Sequence, residues 1–403
     1  MSDIYDYIVI GAGIAGLTYA YRNKSNNFII LEKNDYIGGR IKNIKWNDSF
    51  ISLGGGVFLP SHSYVLDLCR EFNIETKDYT SIYHLNDLKG DTPNNPLYYK
   101  DFEIIYKSLV KKYYKHEKKI KEQKLNFTQF LELYFDYSIY EIIINNSLYS
   151  TNFNADPGLF LENEFLYDCL RIKDDKMMFI KSNSETENGY DLIINNIIKN
   201  IGINNIKINT NVSLINFKDN LYEIISNNQS FLTKKLVLAT DIKSNIKFNL
   251  PNQIICILNK LYKNIGYEPY IRIYSYHRDG HNLKNSCKTR GIIGKTIIMN
   301  KNILMICYNE SYYATNLNNL LNNKSKENQI EILYKLFKNH NLEITKPDDI
   351  YIQYWEVGMH YSKPGFSIDE DLGLLKNNHN LEVIGELVAK SHGWVNSALS
   401  SIK

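Results

Sequence analysis

The residues best suited to chemistry lie near the N-terminus. Gly11-Ala12-Gly13-Ile14-Ala15-Gly16 has G-x-G-x-x-G spacing, and an acid, Glu32, follows the first glycine by about 20 residues. In such a pattern the first glycine permits a tight turn, and the second lets the backbone approach a pyrophosphate. The third lets the following helix pack against its sheet. The first amides of that helix, those of Ile14 and Ala15, present free N–H groups and the positive end of a helix dipole to phosphate. A carboxylate at Glu32, with Lys33 beside it, is placed to accept hydrogen bonds from ribose hydroxyls and to repel the additional phosphate of NADP. The chemistry implied is dinucleotide binding.

These groups need particular elements to hold them. Tyr5-Asp6-Tyr7-Ile8-Val9-Ile10 is a β-rich run without a breaker, as a buried parallel strand requires. Leu17 to Arg22 has helical character, and Phe28-Ile29-Ile30-Leu31 forms a second strand that ends in Glu32. Strand, glycines, helix, strand and acid thus occur in order within about 30 residues, far more specific than the glycines alone. Of the 21 glycines, eight fall in the first 56 residues: Gly11, Gly13, Gly16, Gly38, Gly39, Gly54, Gly55 and Gly56. That concentration predicts backbone packed closely around a ligand.

Composition removes several classes. The 403 residues exceed one ordinary core and predict two domains. A formal net charge of +3 argues against a dedicated nucleic-acid binder. Five dispersed cysteines without C-x-x-C spacing argue against a disulfide framework or a cysteine zinc site, and no H-x-x-x-H pair is present, so no metal is expected. No apolar run approaches the ~20 residues of a membrane span, and the chain opens on a strand rather than a signal peptide. An intracellular, cytoplasmic protein is the expectation. The heavy use of Asn, Ile, Lys and Tyr reads as the mark of an AT-rich genome, microbial, protist or viral. A lysine-rich run from Lys107 to Lys124 reads first as a solvated helix face, with contact to a membrane surface or polyanion as the alternative.

Two later glycine clusters, Gly38-Gly39-Arg40 and Leu53-Gly54-Gly55-Gly56-Val57-Phe58, follow the acid closely. With them the sequence resembles the FAD-dependent amine oxidase superfamily, which includes monoamine and polyamine oxidases and related flavin desaturases. The C-terminus extends the likeness: Leu381-Glu382-Val383-Ile384-Gly385-Glu386 precedes Gly393-Trp394-Val395-Asn396-Ser397-Ala398, where the family has a strand ending in G-E and then G-x-x-E-G-A. The resemblance implies an α/β fold, a Rossmann-like FAD-binding domain interleaved with a mixed α+β substrate domain. The implied segments are 1–78, 187–245 and 377–403 for FAD binding, and 79–186 (mainly helical) and 246–376 for substrate.

It also implies roles. Arg40 would lie near the pyrophosphate and flavin, with Gly39 before it, and Gly55, Gly56 and Val57 would bring backbone against the isoalloxazine. Val212 would meet the adenine, Glu386 the ribityl or pyrophosphate, and Trp394 and Val395 the ring. The family's paired glycine before its middle helix becomes Gly189-Tyr190, its E-G pair becomes Asn396-Ser397, and Ser401 stands where glycine is common. Three positions carry the catalytic reading. Arg272 falls where the family has a lysine, and either positions an acidic substrate group or pairs with a buried acid. Met359, where some members have a flavin-linked cysteine, implies non-covalent FAD. His360 or Tyr361 would face Trp394 across the ring as an altered aromatic cage.

The activity so implied is hydride transfer from a carbon beside an amine to flavin N5, with oxygen as acceptor and a small-molecule amine as substrate. A flavin desaturase or isomerase on the same scaffold, and a flavin-binding protein of reduced catalysis with an interaction role, remain as alternatives, because fold does not choose chemistry. No nucleic-acid partner is expected, and self-association as a homo-oligomer stays open.

Overall fold

The computed structural model describes residues 4–79, 83–88, 99–146, 153–162, 177–181, 189–227, 229–244, 247–288, 291–340, 342–365 and 368–402. The chain divides into two compact units. The first comprises Met1–Tyr79, Lys176–Gly266 and His360–Lys403, the second Thr80–Asp175 and Tyr267–Met359.

At the centre of the first unit is a five-stranded parallel sheet in the order Leu381–Val383, Leu236–Leu238, Tyr7–Ile10, Phe28–Leu31 and Ile206–Lys207. Both of its faces are buried, and the period-two alternation of each strand divides its side chains between two cores. Tyr7, Val9, Phe28, Ile30 and Val237 point to one side and pack with the helices Ile14–Arg22 and Asp191–Ile201. Ile8, Ile10, Ile29, Leu31, Leu236 and Leu238 point to the other. There they meet Ile215, Tyr222, Ile224 and Phe231 of a second sheet, ordered Ile4–Tyr5, Gln229–Thr233, Leu221–Ser226, Val212–Lys218 and Lys247–Asn249. Strands of Ile, Val and Leu without polar alternation are the sequence mark of this double burial.

Two assignments made from sequence need correction. Residues 246–266 and 360–376 were expected with the substrate domain, yet the structure groups 247–266 and 360–376 with the first unit. The reason is the helix Asn252–Lys263, whose Ile254, Leu258 and Leu261 recur at helical spacing and close the second core together with Leu375 of the helix Ile368–His379. The expected boundaries at 186/187 and 245/246 fall outside the described residues.

The second unit is built on a sheet ordered Asp349–Ser362, Ile265–Tyr276, Ile303–Glu310, Lys295–Ile298, Ser286–Lys288 and Tyr83–Leu88, the two long strands supplying it up to Met359 and from Tyr267. Ile271, Ile273, Leu304 and Ile306 pack under the helices Ser311–Leu321 and Lys326–Asn339 through Ala314, Leu317, Leu333 and Phe337. The described residues of the earlier segment include the helices Tyr99–Gln123, Phe127–Tyr134, Tyr137–Asn146 and Pro157–Glu162. Its Phe127 helix opens with a capping box in which Asn126 and Gln129 satisfy each other's backbone amides. Among the described residues no helix is long and apolar enough to cross a membrane.

Tyr190 shows how a departure from the family pattern is absorbed. It follows Gly189, which holds φ at +56°, and its ring fills the first core at 6.2 Å from that of Phe58. Its hydroxyl is buried without a protein hydrogen-bond partner, which costs free energy that the ring itself does not. Tyr190→Phe is therefore expected to raise stability, by about 1 kcal/mol. Denaturant midpoints of the two proteins check this.

Candidate functional site

The glycine loop closes as its spacing demands. Gly11 has φ of +104°, and a Cβ there would meet the Ala239 carbonyl oxygen at 2.7 Å. At Gly16 a Cβ would lie 2.1 Å from the Gly11 oxygen, so the helix can approach the sheet only with glycine. Gly13 differs. Its φ of −72° suits any residue and its Cβ direction is open, with nothing within 4 Å. That open space lies at the N-cap of Ile14–Arg22, where no side chain caps the amides. The structure itself gives no packing reason for glycine at position 13, so the space suits an approaching ligand such as a pyrophosphate.

Around this loop the later motifs assemble. The Gly38 amide donates to the Ala12 oxygen at 2.9 Å, and a Cβ on Gly39 would meet the Gly13 Cα at 3.2 Å. Glu32 is buried; Oε2 accepts from the Ala12 amide at 2.8 Å, and Oε1 from the Asn34 amide and side chain at 2.9 and 2.7 Å. Its carboxylate is thus held rigid by the loop it faces. The Thr210 amide donates to the Glu32 carbonyl oxygen, which brings the start of the Val212–Lys218 strand, and the buried Val212, alongside. Lys33 is half exposed and lies 3.8 Å from Asp241.

The most heavily bonded group is the buried Glu386. Its Oε2 accepts from Arg40 Nη1 at 2.8 Å and from His360 Nδ1 at 2.6 Å. Its Oε1 accepts from the amides of His360 and Gly393, both at 3.0 Å. Burial alone would raise the pKa of Glu386, but Arg40 and His360 outweigh it and hold the carboxyl well below the usual range. Arg40 also accepts, through its carbonyl oxygen, from the Gly55 amide at 3.2 Å. A Cβ on Gly55 would meet Val395 Cγ2 at 2.9 Å, and Ser52 Oγ donates to the Gly55 oxygen. Gly56 packs on the same serine, and Val57 is half-buried after it. Arg40, Gly55, Glu386 and Val395, expected at one site from motifs hundreds of residues apart, are therefore brought together.

His360 has a setting different from the one expected. It is fully buried, its Nδ1 donates to Glu386 and its Nε2 accepts from the Ile242 amide at 3.3 Å, so one neutral tautomer satisfies both contacts. Both ring nitrogens hold the chain together. Tyr361 lies flat on Gly266, where a Cβ would come within 2.1 Å of the ring. The aromatic neighbour of Trp394 is instead His62, at 4.9 Å and 70°. The Trp394 indole N–H is buried without a protein acceptor, the second feature that suits a bound polar ligand. Arg272 belongs to the second unit, where its guanidinium lies 5.0 Å from the ring centre of Tyr308 and 5.7 Å from that of Tyr270.

The C-terminal departures acquire partners. Asn396 Oδ1 accepts from the amides of Tyr64 and Val65, capping the helix Ser63–Glu71, whose own N-cap residue gives no side-chain bond. Ser397 and Ser391 share a hydroxyl contact of 2.8 Å. Ser401 Oγ accepts from the Gly385 amide at 2.7 Å and donates to the Ala398 oxygen. His62 and His392 carried no motif in the sequence. Each accepts a backbone N–H, from Leu59 and Ser362 respectively, and burial pushes each ring pKa down to about 4.

Two outcomes follow from this geometry. An unfolded histidine protonates near pH 6.5, whereas folded His62 and His392 resist until about 4, so lowering the pH between these values favours the unfolded state. The loss is on the order of 3 kcal/mol for each buried ring, and depressed Glu386 adds a further loss only below its unfolded pKa of 4.5. Thermal midpoints across pH 7 to 4 should fall accordingly and recover in part in His392→Asn. Gly13→Asp should leave the fold intact, since its Cβ meets nothing, yet abolish flavin retention through its charge; absorbance of the purified variant reads this directly.

Comparison with known proteins gives the family and the fold. The family model for flavin containing amine oxidoreductases matches residues 14–248, more than half the chain. A stretch of 93 residues is 33% identical to the probable flavin-containing monoamine oxidase A of Dictyostelium discoideum, covering 22% of this chain and 20% of that protein. Another of 123 residues is 27% identical to a flavin-containing amine oxidase of Danio rerio, covering 27% and 24%. The aligned part thus spans a fifth to a quarter of those relatives. The fold matches throughout: wild-type putrescine oxidase bound to putrescine superposes with a TM-score of 0.69 at 13% identity, covering 100% of this chain and 98% of that one. A double mutant of the same enzyme, from a redesign of its cofactor binding, gives 0.67 at 13% identity, covering 98% and 97%. The family match over residues 14–248 shows that this chain belongs to the flavin-containing amine oxidoreductases.

Proposed function

We propose that this protein is an FAD-dependent oxidoreductase of amine-oxidase type that binds its FAD non-covalently, acts on a small-molecule amine and uses oxygen as acceptor. The observation that carries it is the open cradle at Gly13, framed by Glu32, Gly39 and the Arg40–Glu386 pair, in a chain of this family. The absence of a cysteine at Met359 favours the non-covalent mode, and the putrescine-bound fold relative favours an amine substrate.

The flavin, when bound, supplies the two-electron acceptor for oxidation of the carbon beside the amine. The chain's own residues bind and orient. The uncapped amides at Ile14 and Ala15 and the space at Gly13 accept the pyrophosphate, and Glu32, fixed by Ala12 and Asn34, offers its remaining lone pairs to ribose hydroxyls. Glu386 fixes Arg40 so that the guanidinium is presented rigidly, with the arginine's charge only partly spent on the carboxylate. The indole N–H of Trp394 supplies a further donor at a site sheltered from water.

One spectrum tests the reading. The flavin-loaded protein is mixed without oxygen with polyamines, aromatic amines and amino acids in turn. Bleaching of the flavin band by one class, and its return on admitting air, is the expected result. A flavin band that no amine bleaches removes the amine-oxidase reading in favour of desaturase, isomerase or non-catalytic flavin binding.

A further inference from the structure

The lysine-rich run is the strongest surface feature that the proposed chemistry does not use. Residues 104–124 carry eight lysines against two glutamates, a net +6, in a chain whose formal total is +3. The remaining residues therefore sum to −3, so the positive excess of the protein is concentrated in one segment. That segment forms most of the helix Tyr99–Gln123. Ile105, Leu109, Tyr113 and Ile120 are buried, and the Tyr113 ring meets Phe130 at 6.2 Å, which fixes the rotation of the helix on its neighbours. The opposite face is left to solvent. Lys107, Lys111, Lys115 and Lys118 recur along it every three or four residues, with Lys119 at its margin, and all five are exposed.

Two observations separate this face from an ordinary solvated one. The four acids of the helix do not balance its eight lysines: Asp101 and Glu103 belong to its first turns, and Glu117 and Glu122 to its last, against Lys121 at 2.5 Å and Lys118 at 4.0 Å. Partial burial, and then Lys115, Lys112 and Lys119, depress the pKa of His116, the local sign of that excess. The lysine face also carries apolar side chains, Ile104 at 66% and Tyr114 at 56% exposure. Single exposed apolar residues occur elsewhere on the protein, but here two of them lie within a row of lysines. A bilayer surface takes both, because tyrosine and an aliphatic chain enter the headgroup layer while lysines meet its anionic lipids.

We propose that this helix is a docking face for an anionic bilayer surface, with Lys111, Lys115, Lys118 and Lys119 on the headgroups and Ile104 and Tyr114 entering the interface. The inference is independent of the amine-oxidase reading, since it concerns a face of the second unit and needs no turnover. Binding is electrostatic in the main and is screened by salt.

The test sediments the full flavin-loaded chain with vesicles of phosphatidylcholine alone and with about 30% phosphatidylserine added. Association roughly tenfold or more stronger with the anionic vesicles, and its loss as salt rises toward about 1 M, is the expected result. Lys111→Glu/Lys115→Glu should abolish it with flavin content unchanged. Lys111→Ala/Lys115→Ala, which removes charge without reversing it, should weaken it and guards against a folding failure of the first variant. Tyr114→Ser should weaken binding without altering its salt dependence. Equal binding to both vesicle types, no binding to either, or no effect of the lysine variants overturns the proposal. Retention on heparin or single-stranded RNA without vesicle binding overturns it in favour of a polyanion.

Discussion

A single buried carboxylate organises the first unit. Glu386 receives Arg40 from the glycine-rich turn, His360 from the end of a long strand, and the Gly393 amide from the C-terminal segment. A carboxylate buried alone is costly, and the penalty is offset only when cation and N–H donors all arrive together. Removing any one leaves the charge less fully compensated in a low-dielectric setting. Arg40 and Glu386 are 346 residues apart, so the contact forms only when the two ends of the chain are already packed. The rest of the site is tied to it: Arg40 accepts the Gly55 amide, Gly55 packs on Val395, and the neighbouring Asn396 caps the helix that begins at Ser63.

Beneath this network the parallel sheet sets a second constraint. With both faces buried, its strands cannot shift register without exposing one core or the other, so the loop from Ile10 to Ile14 leaves the sheet at a fixed point. A Cβ on Gly11 or Gly16 would run into backbone, whereas a Cβ on Gly13 would meet nothing among the described residues. Of the three glycines in the motif, two are thus required by packing, and the third is the one the proposed cofactor reading uses. Stability and binding separate at a resolution of single residues.

The departures from the family pattern are repaired locally. Asn396 and Ser401, which replace the usual acid and glycine, each take a backbone amide of another segment, so the six-residue helix Val395–Ser400 is fastened at both ends. A helix of that length has little stability of its own, and its position comes from these bonds and from the packing of Ala398 and Leu399. Tyr190 is an incomplete repair: its ring fills the core, but its hydroxyl has no protein partner there.

The sequence alone determined the nucleotide-type fold, because an uninterrupted apolar strand, a glycine spacing and a terminal acid are local features whose physics does not depend on distant residues. It likewise marked Arg40, Gly55, Glu386 and Val395 through motifs. What it did not determine is what those residues touch. Motif position gave Glu386 a ligand contact and set His360 or Tyr361 opposite Trp394; it gave no sign of the protein partners, Arg40 and His360 for Glu386 and His62 for Trp394. The histidines His62 and His392 left no periodic or spacing signal, since each acts by accepting one backbone amide at a single buried point. The division of the chain near 250 and 370 was also beyond pattern reading. An amphipathic helix such as Asn252–Lys263 announces that it has an apolar face, but only tertiary packing decides which core that face completes.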